Sequence, residues 1–253
     1  MKRLYVLLAV IALVAFMTAD RAAADTTGSQ IQAVPFTFVG TAADCAPSPA
    51  GSRIVSAAWL GGMGLPDNGG PNATTPNDPH TGLLLSKNGP TADCSSAGAR
   101  ITGVKGLTVD AAFTLGFEYR NGGHCGAGAP RFNVTVHNSL TGTDTSHFVG
   151  GCSNATATPA GQDPLEWTRV MMQTSNPAQS FPVIPAGSTI VSISVLYDEG
   201  TDTATSDTLG IGLAVIDNIY INGHLITSGP RSASGGKGKG ENGDNNDDQQ
   251  GDN

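Results

Sequence analysis

The sequence reads as an all-β protein, an antiparallel, jelly-roll-like β-sandwich followed by a disordered C-terminal tail. Three observations carry that reading. Large apolar side chains recur at every second position in several short segments. The 34 glycines and 15 prolines punctuate a chain of 253 residues. Beyond the N-terminal apolar segment, no long stretch keeps a 3.6-residue apolar period. Only 13% of the residues are charged, which excludes coiled coils and charged helical bundles, since both need Glu, Lys, Arg and Ala in bulk. The glycines do not follow the Gly-X-Y period of collagen, so they serve turns and close backbone approaches.

Residues 1–24 read as a signal peptide. Lys2 and Arg3 supply a positive start, an apolar run extends from Leu4 to Met17, and Ala22, Ala23 and Ala24 offer small residues for cleavage. A bilayer span needs about 20 apolar residues, and this run is shorter. No second long apolar stretch follows, so the expectation is a secreted, extracellular protein with no membrane span after cleavage. Removing Lys2, Arg3, Arg21 and Asp20 leaves 10 basic against 20 acidic side chains. Such a balance repels nucleic acid and anionic membrane surfaces, which demand clustered Lys and Arg. Neutral glycans, cations or another extracellular protein remain as partners.

Residues 25–228 are the sandwich domain. Its strand candidates are, in order, Val34 to Val39, Ile54 to Leu60, Gly82 to Lys87 and Arg100 to Val104. Next comes a segment in which Phe113, Leu115, Phe117 and Tyr119 alternate with Thr114, Gly116 and Glu118. Phe132, Val134 and Val136 repeat the pattern, His147 to Gly150 and Trp167 to Gln173 follow less regularly, and Val191, Ile193, Val195 and Tyr197 alternate a third time. Leu209 to Ile221 is the last. Gly, Pro, Asn and Asp cluster between these segments, as turns require. Strands of this kind each hide one face, most economically in two stacked antiparallel sheets; an immunoglobulin-like arrangement is the second choice. The tail, Gly229 to Asn253, has no aliphatic or aromatic side chain beyond Ala233 and cannot bury apolar surface.

Cys45, Cys94, Cys125 and Cys152 form an even set in a chain with an export signal, which reads as disulfides. They lack the C-x-x-C knuckles of zinc sites. The pairing Cys45 with Cys94 and Cys125 with Cys152 is favoured, because each pair brackets a strand, a turn and a returning strand. In the chain-entropy model each such loop contributes about 3 to 4 kcal/mol.

Gly103-Val-Lys-Gly-Leu107, Leu115-Gly-Phe-Glu-Tyr119, Val215-Ile-Asp-Asn-Ile-Tyr-Ile-Asn-Gly223 and, above all, Gly122-Gly-His-Cys-Gly-Ala-Gly-Ala-Pro-Arg-Phe-Asn-Val134 give the chain its resemblance to a family. It resembles secreted bacterial β-sandwich proteins, largely uncharacterised, whose fold is like that of carbohydrate-binding modules. The resemblance covers about Arg53 to Asn222 and implies a structural calcium ion beside Asp217 and Asn218. The partner acidic residue near the N-terminus that usually completes such a site is not evident in this sequence.

Read on its own, Asp217 shares the period of Val215, Ile219 and Ile221, which puts it on the inward face of the last long strand. A buried carboxylate must be paired, hydrogen-bonded or metal-bound, so it either anchors calcium or accepts backbone N–H groups at a bulge. The acidic loop Asp198, Glu199, Asp202 and Asp207 is a second cation candidate, although it lacks the EF-hand spacing; solvated turn residues are the alternative. His137 and His147 could face each other, but two imidazoles make a weak metal site. The glycine-rich loop Asn121 to Pro130 lacks the dinucleotide pattern and reads as a tight turn beside Cys125.

Glycan binding needs aromatic platforms. Tyr119 and Tyr197 fall in the core register, which leaves Trp59, Trp167 and Tyr220. The chemistry census finds no G-x-S-x-G elbow, no H-E-x-x-H and no β-lactamase motif. The function expected is a non-enzymatic module that binds carbohydrate or a cell-surface partner. Its alternatives are a glycan-cleaving hydrolase or lyase working through Glu118 with Asp198 or Glu166, and a purely structural exoprotein.

Overall fold

Alternation along the chain becomes two stacked layers in a computed structural model that describes residues 30–51, 54–67, 79–202 and 211–230. The expected signal peptide, residues 231–253 of the expected tail, and Asp207 lie outside the described residues. The front sheet orders its strands β1 (Gln32–Val39), β4 (Ser95–Thr102), β11 (Thr189–Tyr197), β6 (Arg131–Asn138), β7 (Thr143–Gly150) and β10 (Ser180–Phe181). The back sheet runs β2 (Val55–Leu60), β3 (Gly82–Lys87), β12 (Leu213–Ile221), β5 (Thr114–Arg120), β9 (Trp167–Gln173) and β8 (Thr156–Pro159), and β13 (His224–Ile226) pairs with β12. Every strand pair is antiparallel, so the fold is the jelly-roll-like sandwich that the alternation predicts. Among the described residues no helix is long and apolar enough to cross a membrane.

The core is the space between the sheets. Ala97, Ala99 and Ile101 of β4, Phe132, Val134 and Val136 of β6, and Ile193, Val195 and Tyr197 of β11 project from the front sheet. Leu83 and Leu85 of β3, Leu115 and Phe117 of β5, Val170 and Met172 of β9, and Ile216 of β12 meet them from the back. Phe117 and Phe132 touch across the layers with ring centroids 5.9 Å apart. Fully burying a side chain of this size contributes about 1.5 to 3 kcal/mol, so these paired rows supply the main driving force for folding.

Three strands escape the sequence pattern: β8, whose residues are all exposed, the two-residue β10 and the three-residue β13. Strand β4 begins at Ser95, five residues ahead of its expected start, because Ser95, Ser96, Ala97 and Gly98 show no large apolar alternation. Gly98 has no side chain for a physical reason: the Phe36 ring lies across it, and a Cβ there would stand 2.7 Å from the ring.

The disulfides are Cys45–Cys94 and Cys125–Cys152, with Cα separations of 5.8 and 5.3 Å. The first ties the single helical turn Ala42–Cys45, whose Thr41 and Asp44 form a capping box, to the start of β4. The second ties the glycine-rich loop to the turn after β7.

A polar knot fastens the loops at one end of the sandwich. Lys87, at the end of β3, is fully buried, and its ammonium donates to the carbonyls of Thr91, Asp93 and Asp198 at 3.0, 2.9 and 2.9 Å. It also pairs with the Asp93 carboxylate at 3.0 Å. The acidic connection after β11 is bound on every described carboxylate. Asp198 takes both terminal nitrogens of Arg131 at 2.5 and 2.6 Å, Glu199 pairs with buried His124, and Asp202 accepts from the Thr91 N–H and hydroxyl at 2.6 and 2.7 Å. Asp198 and Glu199 are therefore internal ties, whereas Asp202 is an exposed turn residue held by Thr91.

Removing the Lys87 ammonium would strand a buried carboxylate and three carbonyls. Breaking one partner of a buried pair costs about 3 to 5 kcal/mol, so Lys87→Met is expected to lose stability of that order in urea unfolding. A loss below about 1 kcal/mol would show that the knot contributes little.

Candidate functional site

The richest polar cluster lies on the outer side of the back sheet. Alternation points Glu118 away from the core, yet it is fully buried. A second small apolar cluster of Leu65, Ala160, Trp167 and Val215, with Met63 and Leu84 packed against it, forms on that outer side. Glu118 lies opposite Arg169 on β9 and opposite Asp217 on β12. Its Oε1 accepts from Arg169 Nε at 2.7 Å, from Arg169 Nη2 at 2.5 Å and from the Tyr220 hydroxyl at 3.2 Å. Its Oε2 accepts from the Asn218 amide at 2.7 Å, and that amide also donates to Gln162 Oε1 at 2.7 Å. The Arg169 guanidinium sits over the Tyr220 ring, 5.4 Å from its centroid. Burial, then the Glu118 charge, pushes the Tyr220 hydroxyl well above its ordinary range.

A bulge places Asp217 and Asn218 here. Asp217 faces Glu118 and Tyr220 faces Gly116, so Asn218 and Ile219 share the space across from Phe117. Asn218 takes the left-handed conformation, φ 44°, which asparagine tolerates better than most residues. The extra residue breaks the strict two-residue period. This corrects the inward placement of Asp217: Ile219 and Ile221 do face the core, whereas Asp217 turns to the outer side with Glu118 and Asn218. It is buried there nonetheless. Its two oxygens accept the backbone N–H groups of Leu65 at 2.7 Å and Asn218 at 2.6 Å, the hydrogen-bonded alternative at a bulge. Burial pushes its carboxyl up to about 8, against the two N–H donors and helped by the charges of Asp67 and Glu118. Among the described residues no group of three or more His, Cys, Asp or Glu could hold a metal ion.

The three aromatic candidates do not line one groove. Trp167 is 3% exposed and packs with Leu65, Ala160 and Val215, which corrects its reading as a platform: the segment holding Ala160 and the chain around Leu65 cover the face it points from. Tyr220 is half-buried beneath Arg169. Trp59 lines a groove of ligand size. Its indole N–H is fixed on the Ala33 carbonyl at 2.9 Å, and its flank borders a cavity of about 510 Å³ where β1, β2 and β13 come together. Polar groups furnish the walls: Gln30, Gln32, Asp67, Thr81, Thr227 and Ser228. Asp67 is oriented by accepting from the N–H and hydroxyl of Thr81, both at 2.7 Å. Gly229 lies against the ring, where a Cβ would stand 2.6 Å from Trp59 Cδ1, so the chain expected to begin the tail closes one side of this groove.

The other candidates separate. His137 pairs with Asp144 at 2.9 Å, whereas His147 is buried and bonds to the Thr145 hydroxyl and the Pro182 carbonyl. They do not converge on a metal. Glu118 offers no exposed carboxylate to a substrate; Asp198 is bound to Arg131, and Glu166 stands in solvent near Arg120 at 3.9 Å. His124, in the glycine-rich loop, is fully buried edge-on to Tyr197. No protein-family model matches the chain, and no curated protein matches it.

The raised carboxyl of Asp217 has a definite sign in stability. Well below its ordinary 3.8 it is protonated folded and unfolded; between 3.8 and about 8 the folded chain keeps the proton that the unfolded chain loses, so stability falls as pH rises through that window and levels off above it. Asp217→Asn is expected to flatten this slope in unfolding free energy measured from pH 4 to 9, at some cost in absolute stability. A slope identical to the parent's would remove Asp217 as its source. With both Asp217 oxygens already accepting N–H groups, the melting temperature in EDTA is expected to match that in calcium; a calcium-dependent rise that Asp217→Asn abolishes would assign the ion to this carboxyl instead.

Proposed function

We propose that the chain is a secreted, non-enzymatic binding module that holds a carbohydrate in the groove beside Trp59. One observation carries the reading: Trp59 borders a cavity of about 510 Å³ furnished with amide, carboxylate and hydroxyl side chains. Ligand pockets span about 300 to 1,000 Å³. Sugars present one apolar face and a rim of hydroxyls, which an indole and a ring of oriented polar groups complement. Two disulfides suit an oxidising, extracellular compartment. The burial of Glu118 favours binding over glycan cleavage, since a catalytic carboxylate must reach the scissile bond.

A glycan array followed by titration tests this. An aromatic contact contributes about 0.5 to 1.5 kcal/mol beyond the area it covers, so Trp59→Ala is expected to weaken the best neutral oligosaccharide about tenfold. Because Trp59 also supports β1, Ser228→Trp is the companion variant. It fills the groove from its rim and is expected to abolish binding with the melting temperature unchanged. Binding that survives Ser228→Trp would move the ligand elsewhere, and reducing-sugar release abolished by Glu118→Gln would establish the hydrolase instead.

A further inference from the structure

The described residues include six Lys and Arg side chains in a chain that has 13 basic against 21 acidic residues. Four of the six face carboxylates: Lys87 with Asp93, Arg120 with Glu166, Arg131 with Asp198 and Arg169 with Glu118. The other two, Arg100 and Lys105, pair with no carboxylate among the described residues, and both line the same groove. In an acidic protein cations are the scarce charge. Two that face no carboxylate among the described residues and are set at one depression stand out against the other four.

The groove has a structural cause. It lies on the outer face of the front sheet, holds about 310 Å³, and shares no lining residue with the Trp59 cavity. The β4–β11 ladder ends at Ile101 and Ile193, and a register shift between Ile190 and Ser192 bulges β11 beside it. The two segments meet again where the Gly106 N–H reaches the Ile190 carbonyl at 2.9 Å. Gly103, at φ 77°, turns the chain out of β4 and carries Lys105 to the far rim. Arg100 stacks its guanidinium over the Phe36 ring at 5.0 Å, which leaves the edges of its planar fork free to donate. Thr102, Ser192 and Ser194 line the groove with the two cations.

We propose that this groove binds a carboxylate-bearing sugar, a uronate unit of an anionic polysaccharide. Arg100 presents a planar fork that matches a carboxylate, Lys105 adds a second charge, the Phe36 ring beside them offers an apolar surface, and three hydroxyls meet the sugar's own. The choice of a sugar as the carrier of the charge rests on the glycan-binding reading above, whereas the anion site itself does not depend on the Trp59 groove.

Titration of the full chain with oligogalacturonate tests it, with a neutral oligosaccharide and poly-L-glutamate as comparators. The expected result is oligogalacturonate binding that weakens several-fold as salt rises from about 20 to about 200 mM. The double variant Arg100→Gln with Lys105→Gln should weaken it at least about tenfold through lost charge-assisted hydrogen bonds, Arg100→Lys should fall between, and Ser228→Trp should leave it unchanged. Both cations are exposed, so these variants should melt with the parent. Failure of oligogalacturonate to bind, binding indifferent to the double variant, or poly-L-glutamate binding as tightly would each overturn the assignment, the last in favour of an acidic protein segment. Neutral-sugar binding lost in Ser228→Trp reads the Trp59 groove alone, so either reading can fail while the other stands.

Discussion

A carboxylate taken out of water must find a cation, an array of N–H donors or its own proton, and this chain has few cations to offer. That constraint arranges the loops of the sandwich. Asp93 meets Lys87, Asp198 meets Arg131 and Glu118 meets Arg169. Asp217, left without a cation, sits between two backbone N–H groups with its carboxyl pushed toward the neutral form. Buried pairs of this kind add little net stability compared with apolar replacements. Their effect is positional: each fixes a connection that apolar packing alone would leave free to choose among several paths. The exposed Arg120–Glu166 contact at 3.9 Å fixes nothing comparable.

The same constraint makes the two outer faces unlike. Loop segments cover the outer side of the back sheet around Glu118, and a second apolar cluster closes over the ionic network. The outer side of the front sheet carries instead two arginine-on-phenylalanine stacks, Arg100 over Phe36 and Arg131 over Phe148, and an edge contact of Phe148 with Phe181. In one stack the arginine is neutralised by Asp198 and serves the fold. In the other, exposed Arg100 faces no carboxylate among the described residues. Similar local stacking therefore has different consequences, decided by whether a carboxylate stands within reach.

How far the sequence revealed this follows from the range of each interaction. Strands β5, β6 and β11 were legible because alternation is a local record of a buried face. Strands β8, β10 and β13 left no such record, since their residues are short in number or exposed and owe their pairing to neighbours. The bulge at Asn218 was invisible to the two-residue rule that placed Asp217, for a bulge is the one device that breaks that rule. Trp59, Trp167 and Tyr220 were equivalent as residue types. Nothing local distinguished the one that borders a cavity from the one sealed beneath Leu65 and Val215.

By itself the sequence determined the β class and the two stacked layers, because period and turn chemistry are properties of neighbouring residues; it favoured one of three disulfide pairings, and the fold decided that pairing. The tertiary structure alone decided that Glu118 is sealed, that Lys87 gathers three carbonyls, and that Arg100 and Lys105 share a groove. Those outcomes depend on which distant segments meet: Lys87 and Asp198 are brought together by two different sheets, and Glu118 and Asn218 by adjacent strands a hundred residues apart in the chain. Charge pairing acts through space, and the order of residues along a chain does not encode distance in space.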